Sequence, residues 1–206
     1  MPIDDIKNDN ELTLAAYQSK AREYVGNTPP NSDRFCQWFD GILDLIPESG
    51  KVFEIGSGPG SDAAYIASRG FTITCSDAVP QFLEMIRDKG LKAHSLNILK
   101  EDIPDSYDFV FANAVLPHFT SDELGLVLNK VRRALSYQGV FALTLKRGDG
   151  AVWTTVKLGE PRYFHFWQPE AFVSLAEHHG FTDIDISASH NDHSGDDWML
   201  ITMRRT

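Results

Sequence analysis

The sequence predicts an α/β protein: a doubly wound, mostly parallel sheet of seven strands, helices on both faces, and an antiparallel hairpin at the C-terminal end. Three observations carry this. Apolar runs of strand length alternate with helical segments from Lys51 to Leu145, and such alternation implies a parallel sheet covered on both sides. The first run, Val52-Phe53-Glu54-Ile55, opens into the glycine-rich turn Gly56-Ser57-Gly58-Pro59-Gly60 and a helix start. That is the corner at which open α/β sheets take their ligands. The last two runs, 181–187 and 198–203, are separated by a polar turn, which reads as a hairpin.

The elements follow in order. Glu11 to Val25 carries apolar and aromatic residues at helical spacing, including Tyr17 and Tyr24, and Gly26 to Asn31 ends it. Ser32 or Asp33 caps a second helix through Phe35, Trp38, Phe39, Ile42 and Leu45. The strand at Val52 leads through the glycine turn to a helix over Ser61–Arg69. A second strand, Phe71–Ser76, ends at Asp77, and a helix over Pro80–Lys89 has proline in its first turn. A short third strand, Lys92–Ser95, ends near Asn97, and the fourth is Tyr107–Ala112. Ser121-Asp122-Glu123 opens a helix that is expected to end near Gly139, before a fifth strand over Val140–Leu145. Lys146 to Gln168 lacks clear periodicity, which suggests a functional loop or lid. A last helix, Pro169–His179, precedes the hairpin.

A chain of 206 residues, 42% hydrophobic, suits a single domain. The expected division is N-terminal helices over 1–50 and a Rossmann-like core over 51–206, with 146–168 inserted as a lid. Folding at this size hides roughly 70% of the unfolded surface, enough for a core without staples. A net charge of −10 leaves no basic footprint for nucleic acid. The polar, acidic start Met1–Asn10 is unlike a secretory signal, and no apolar run is long enough to cross a membrane. Cys36 and Cys75, without metal spacing, fit a reducing compartment, so cytoplasm is the expected setting. Oligomeric state is not legible.

The turn narrows the ligand. A dinucleotide fingerprint has a third glycine where this chain has Ser61, and its helix start faces a pyrophosphate. Here Glu54 stands just before the first glycine and Asp62 follows the last. Carboxylates this close suit a ligand with positive charge. The run Glu54-Ile55-Gly56-Ser57-Gly58-Pro59-Gly60 resembles the first motif of the class I methyltransferases, acid-x-G-x-G-x-G, whose cofactor is S-adenosylmethionine. That cofactor carries an ammonium and a sulfonium and no phosphate. Family members also insert the seventh strand antiparallel. The aromatic run Arg162 to Trp167 before Gln168-Pro169-Glu170, and Lys146-Arg147-Gly148-Asp149-Gly150, resemble stretches of small-molecule members. The likeness covers about Lys51 to Arg204.

The resemblance assigns cofactor contacts to Glu54, Gly56, Ser57, Gly58, Gly60, Asp77, Ala78, Asn97, Ile98 and Asn113, with Tyr24 from the first helix. Asp77, about twenty residues past the turn, would accept from the ribose hydroxyls, a place that serves NAD equally well. It also precedes a helix and suits a cap. Asn97 stands where the family commonly has an acid for the adenine amine; a turn asparagine is the other reading. Asn113-Ala114-Val115-Leu116 lacks the proline pair of enzymes that methylate base amines.

Methyl transfer is an in-line displacement from an activated sulfonium, so alignment is the main task. A general base is optional. His118, His165 and Tyr17 are the candidates, each with a plain structural alternative in loop bonding or packing. Trp153, Tyr163, Phe164, Phe166 and Trp167 either wall the acceptor site or pack the lid. His190, Asp192, His193, Asp196 and Asp197 match no standard metal spacing and read as a solvated turn, so no metal is expected. An NAD-dependent oxidoreductase and a non-catalytic S-adenosylmethionine-binding module remain the alternatives to a methyltransferase acting on a small molecule.

Overall fold

Residues 9–28, 32–191 and 195–206 are described by a computed structural model. Its strands are β1 (Lys51–Ile55), β2 (Thr72–Asp77), β3 (Lys92–Ser95), β4 (Tyr107–Ala112), β5 (Leu135–Lys146), β6 (Ala151–Thr154), β7 (Arg162–His165), β8 (Phe181–Asn191) and β9 (Asp196–Arg205). Seven of them form one sheet in the order β3-β2-β1-β4-β5-β9-β8. β1 to β5 pair in parallel, and β9 runs antiparallel between β5 and β8. The expected seven-stranded architecture is the observed one. The order reverses at β1, so a crevice opens where β1 and β4 part, outside their carboxyl ends.

Helices α1 (Asp9–Ser19), α2 (Ala21–Gly26), α3 (Asp33–Leu43), α4 (Ser61–Ser68), α5 (Pro80–Asp88), α6 (Ser121–Ala134) and α7 (Pro169–His178) complete the chain. The central strands are buried on both faces, and their side chains alternate between two cores. Phe53, Val110, Ala112, Phe141 and Leu143 pack towards α6 and α7. Val52, Phe109, Phe111, Val140 and Ala142 pack towards α3, α4 and α5. This is why the strands read as unbroken apolar runs rather than as alternating ones. Ser32 caps α3, accepting from the Phe35 N–H at 3.3 Å. Thr120 and Glu123 form a reciprocal capping box at α6.

Three boundaries differ from expectation. The first helix breaks at Lys20, and the bend brings the rings of Tyr17 and Tyr24 edge to face at 5.2 Å. Two turns of unbroken helix would separate their backbones by about 10 Å. The helix expected to reach Gly139 stops at Ala134: Leu135 already pairs with Tyr107, and the residues up to Val140 bulge, with Gln138 at φ 62°. Within 146–168, β6 and β7 pair antiparallel, Trp153 opposite Tyr163 with ring centres 5.7 Å apart.

Candidate active site

The glycine turn is welded to β2. Ser57 N–H donates to the Ser76 carbonyl at 2.8 Å, and Ser76 N–H donates to Ser57 Oγ at 3.2 Å. The three glycines have different reasons. Gly56 sits at φ 66°, and an added Cβ would lie 2.4 Å from Val115. Gly60, at φ 77°, meets Ile86 of α5, so its smallness serves helix packing. Gly58, at φ 51°, has nothing within 4 Å of the Cβ it lacks and faces open cavity. We therefore expect Gly56→Ala to lose stability twice over. The left-handed backbone alone costs about 1–2 kcal/mol, and overlap with Val115 adds to it. Gly58→Ala should lose only the backbone part but intrude on a bound ligand. Thermal denaturation and S-adenosylhomocysteine titration of the two variants check the contrast.

Asp77 closes the turn from below. Its Oδ2 accepts from Gly58 N–H and its Oδ1 from Val79 N–H, both at 2.8 Å. Burial pushes its pKa up to about 6, and those N–H groups hold it from rising further. The Ala78 N–H bears on it as well, and the roughly four lone-pair sites of a carboxylate still leave room for a further donor. Glu54 is 2% exposed, and its Oε2 has no hydrogen-bond partner. Burial, then the charge of Asp62, raise its pKa well above the carboxylate range. The Ser57 side chain bonds the acid, but a buried carboxylate oxygen left without a partner is costly unless a donor or cation reaches it. An ammonium-bearing ligand fits that vacancy in the hydrogen bonding, and Gly58 gives it room. Asp62 itself accepts from Asn113 Nδ2 at 2.8 Å, while Asn113 Oδ1 accepts from Thr144 Oγ1 at 3.0 Å. Thr144 in turn holds Ala114 N–H at 2.7 Å, fixing the loop after β4.

A cleft lies over these strand ends, roofed by α1 and α2. Gly56, Gly58, Asp77, Ala78, Asn97, Ile98 and Asn113 line it from the strand ends, with Tyr17, Tyr24 and His118. An adjoining cleft shares Gly56, Gly58, Asn113 and Tyr24 and adds Glu54 and Ser57. Asn97 is engaged: its Oδ1 accepts from Leu99 N–H at 3.1 Å and its Nδ2 donates to Asn10 at 3.1 Å. Gly60 and His165 line neither cleft. His165 instead stacks near Trp167, ring centres 4.9 Å apart. None of the five candidate wall aromatics lines either cleft; Phe164 lies behind His118, with ring centres 4.5 Å apart.

His118 and Tyr17 meet, with Nε2 2.8 Å from the tyrosine Oη. Nδ1 lies 2.6 Å from the Tyr163 carbonyl oxygen, which only accepts. The proton therefore sits on Nδ1, and Nε2 accepts from the tyrosine hydroxyl. Burial holds the imidazole pKa down to about 4, with Arg162 and Lys146 opposing its protonation. Arg162 Nη1 donates to Tyr17 Oη at 3.2 Å. Arg162 in this position, and Asn10 and Thr13 on α1, were not singled out from the sequence. Asn10, Thr13 and Tyr17 share one helical face, so the inward side of α1 is largely polar and hides from a hydrophobic pattern.

Of the five metal-capable residues near the hairpin tip, Asp192 and His193 lie outside the described residues. His190 bonds Asp197 at 2.7 Å, and Lys146 pairs with Asp196 at 2.7 Å.

Residues 53–143, from β1 to β5, match the family model described as a methyltransferase domain. No curated protein sequence is significantly similar to the chain. Among solved structures, a DhpI–SAH complex is similar at 20% identity and TM-score 0.77, covering 95% of this chain and 96% of that one. A DhpI–SAM–HEP complex is similar at 18% identity and TM-score 0.76, covering 96% and 99%. The Burkholderia thailandensis 1,6-didemethyltoxoflavin-N1-methyltransferase, bound to 1,6-didemethyltoxoflavin and S-adenosylhomocysteine, is similar at 20% identity and TM-score 0.74, covering 100% and 94%. At these identities the likeness is one of fold. Residues 53–143 thus match a methyltransferase domain, and the chain has the fold of the class I, S-adenosylmethionine-dependent methyltransferases.

Proposed function

We propose that the protein methylates a small molecule, and that Tyr17 and His118 together take the proton the acceptor gives up. The observation that carries this is the 2.8 Å contact between Tyr17 Oη and His118 Nε2 on the wall of the strand-end cleft. S-adenosylmethionine supplies the methyl carbon, already activated by a neutral leaving group. Glu54 holds the cofactor ammonium, Asp77 the ribose hydroxyls, and Ala78, Asn97 and Ile98 the adenine end. Asn97 does so while keeping its turn bond. The turn Gly56-Ser57-Gly58 and Asn113 flank the methionine end. Bound S-adenosylmethionine would give up the methyl as its carbon–sulfur bond breaks to leave a neutral thioether, and the acceptor's proton would pass to the tyrosine oxygen with the tyrosine proton moving to Nε2. Residues 1–206 act as one domain, with the N-terminal helices covering the cofactor and 146–168 closing over the acceptor.

A dinucleotide would set its pyrophosphate against the buried Glu54 carboxylate, which disfavours the oxidoreductase alternative. The tyrosine–histidine pair argues against a module that only binds. Among the described residues no helix is long and apolar enough to cross a membrane. The two free cysteines support a reducing, cytoplasmic setting.

Two measurements test the reading. S-adenosylhomocysteine at 100 times its dissociation constant should add about 2.7 kcal/mol of stability, and NAD should add none. Label from methyl-tritiated S-adenosylmethionine should enter a metabolite fraction of low molecular mass. Stabilisation without any transfer would return the binding-module alternative, and label confined to protein or nucleic acid would overturn the small-molecule assignment.

A further inference from the structure

We propose that the methyl acceptor carries an anionic group, a carboxylate or a phosphoryl group, and that Lys157 binds it. The proposal rests on the methyl-transfer reading above and names the substrate class for it. Lys157 lies in the turn between β6 and β7 at φ 83°, a left-handed conformation uncommon for a residue with a side chain. The residue is exposed overall, and its ammonium head lies 4.2 Å from the centre of the Tyr24 ring. The head donates to Thr28 Oγ1 at 2.9 Å, and Lys157 lines the cleft that also holds Glu54.

Nothing in its surroundings compensates the charge. Among the described residues no carboxylate pairs with Lys157. The neighbouring charges that bear on it are both cations, Arg162 and Lys146, and with burial as the larger cause they push its pKa down to about 8. Those two are already engaged. Lys146 is paired with Asp196, and Arg162 donates to Tyr17 Oη and to the Val156 carbonyl. Lys157 is the member of the trio that faces a cleft. A cation crowded by like charge at the edge of a cleft is relieved by an anion bound there.

The cofactor's own carboxylate is the obvious rival anion. It is attached to the same carbon as the ammonium assigned to Glu54, so it must lie close to that acid. The Lys157 head lies over the Tyr24 ring, which packs edge to face on Tyr17 at 5.2 Å, so the lysine stands beside the proposed proton acceptor. Glu54 and Asp62 line the same cleft, so S-adenosylhomocysteine affinity is the readout that separates the two anions. A chain of net charge −10 repels anions in general, so a local cation of this kind is what an anionic acceptor requires.

The test uses the protein saturated with S-adenosylhomocysteine. Benzoate, phenylphosphonate and the neutral benzamide serve as probes, with affinities read by calorimetry on wild type, Lys157→Met and Lys157→Arg. Methionine keeps the stem, and melting temperatures verify that the variants fold. The proposal expects at least one of the two anions to bind tenfold or more tighter than benzamide. Lys157→Met should abolish that preference, Lys157→Arg should keep it, and S-adenosylhomocysteine affinity should stay within twofold throughout. Indistinguishable or undetectable binding of all three probes overturns it. So does a tenfold loss of S-adenosylhomocysteine affinity in Lys157→Met, which would assign the lysine to the cofactor. Failure of wild type to bind S-adenosylhomocysteine is a different result and sinks the underlying methyl-transfer reading as well.

Discussion

Tyr17→Phe and His118→Ala should each slow methyl transfer by about 10²–10⁴-fold, the range a positioned proton acceptor contributes. S-adenosylhomocysteine affinity should change little, because the hydrogen bonds of the pair run to each other, to Tyr163 and to Arg162, and not to Glu54 or Asp77. Single-turnover rates with saturating cofactor separate the two effects. The double variant should be scarcely slower than either single one, since the hydroxyl and the imidazole act as a unit. A purely packing role would instead lower the melting temperature of each variant and leave the rate of the folded fraction intact. The pH profile adds a second readout. With the imidazole pKa held near 4, no loss of rate from its protonation should appear near pH 6.5, the value of an unperturbed histidine. The same depression bears on stability. Between pH 6.5 and 4 the unfolded chain binds this proton and the folded one does not. The contribution of a neutral buried imidazole is present above pH 6.5 and is lost as pH falls to about 4, so His118→Ala should flatten the acid limb of the stability curve.

Glu54→Gln should move stability and affinity in opposite directions. The empty protein gains, because an acid 2% exposed with a partnerless Oε2 is replaced by a neutral group. Cofactor binding loses about 1.5–3 kcal/mol, the worth of a hydrogen bond to a charged group, or roughly 10- to 150-fold in affinity. Melting temperature without ligand and calorimetric affinity for S-adenosylhomocysteine give the two signs. The raised pKa of Glu54 makes a companion prediction. The empty site keeps its proton to a higher pH than an ordinary carboxyl, and the ammonium requires the carboxylate. Binding therefore expels a proton, and affinity rises with pH through the raised pKa and levels off above it. Calorimetry in buffers of different ionisation heat should detect that proton in wild type and not in Glu54→Gln. Asp77, pushed up to about 6 from 3.8, acts in the same sense on stability: its burial disfavours the folded state above pH 6, and the penalty fades as pH falls from 6 to 3.8.

The sheet was legible because its central strands are covered on both sides, so Phe109 to Ala112 and Phe141 to Leu143 had to be apolar at every position. The glycine turn was legible because left-handed backbone and a close loop leave little choice but glycine at Gly56. What escaped notice depends on contacts between distant segments. Thr13 accepts from the Tyr163 N–H across 150 residues of sequence, and nothing local to either residue announces it. The strands β6 and β7 are four residues each, too short for alternation to stand out among glycines and charges. Arg162 was visible only as a charge beside aromatics; its use comes from the place the hairpin gives it, over the rings of Tyr17 and Phe164.

Tyr163 uses both halves of its main chain on the same assembly: the amide N–H rests on Thr13 and the carbonyl fixes the imidazole of His118. One peptide backbone thus anchors both the roof helix and the imidazole, so a displacement of β7 would disturb the two together.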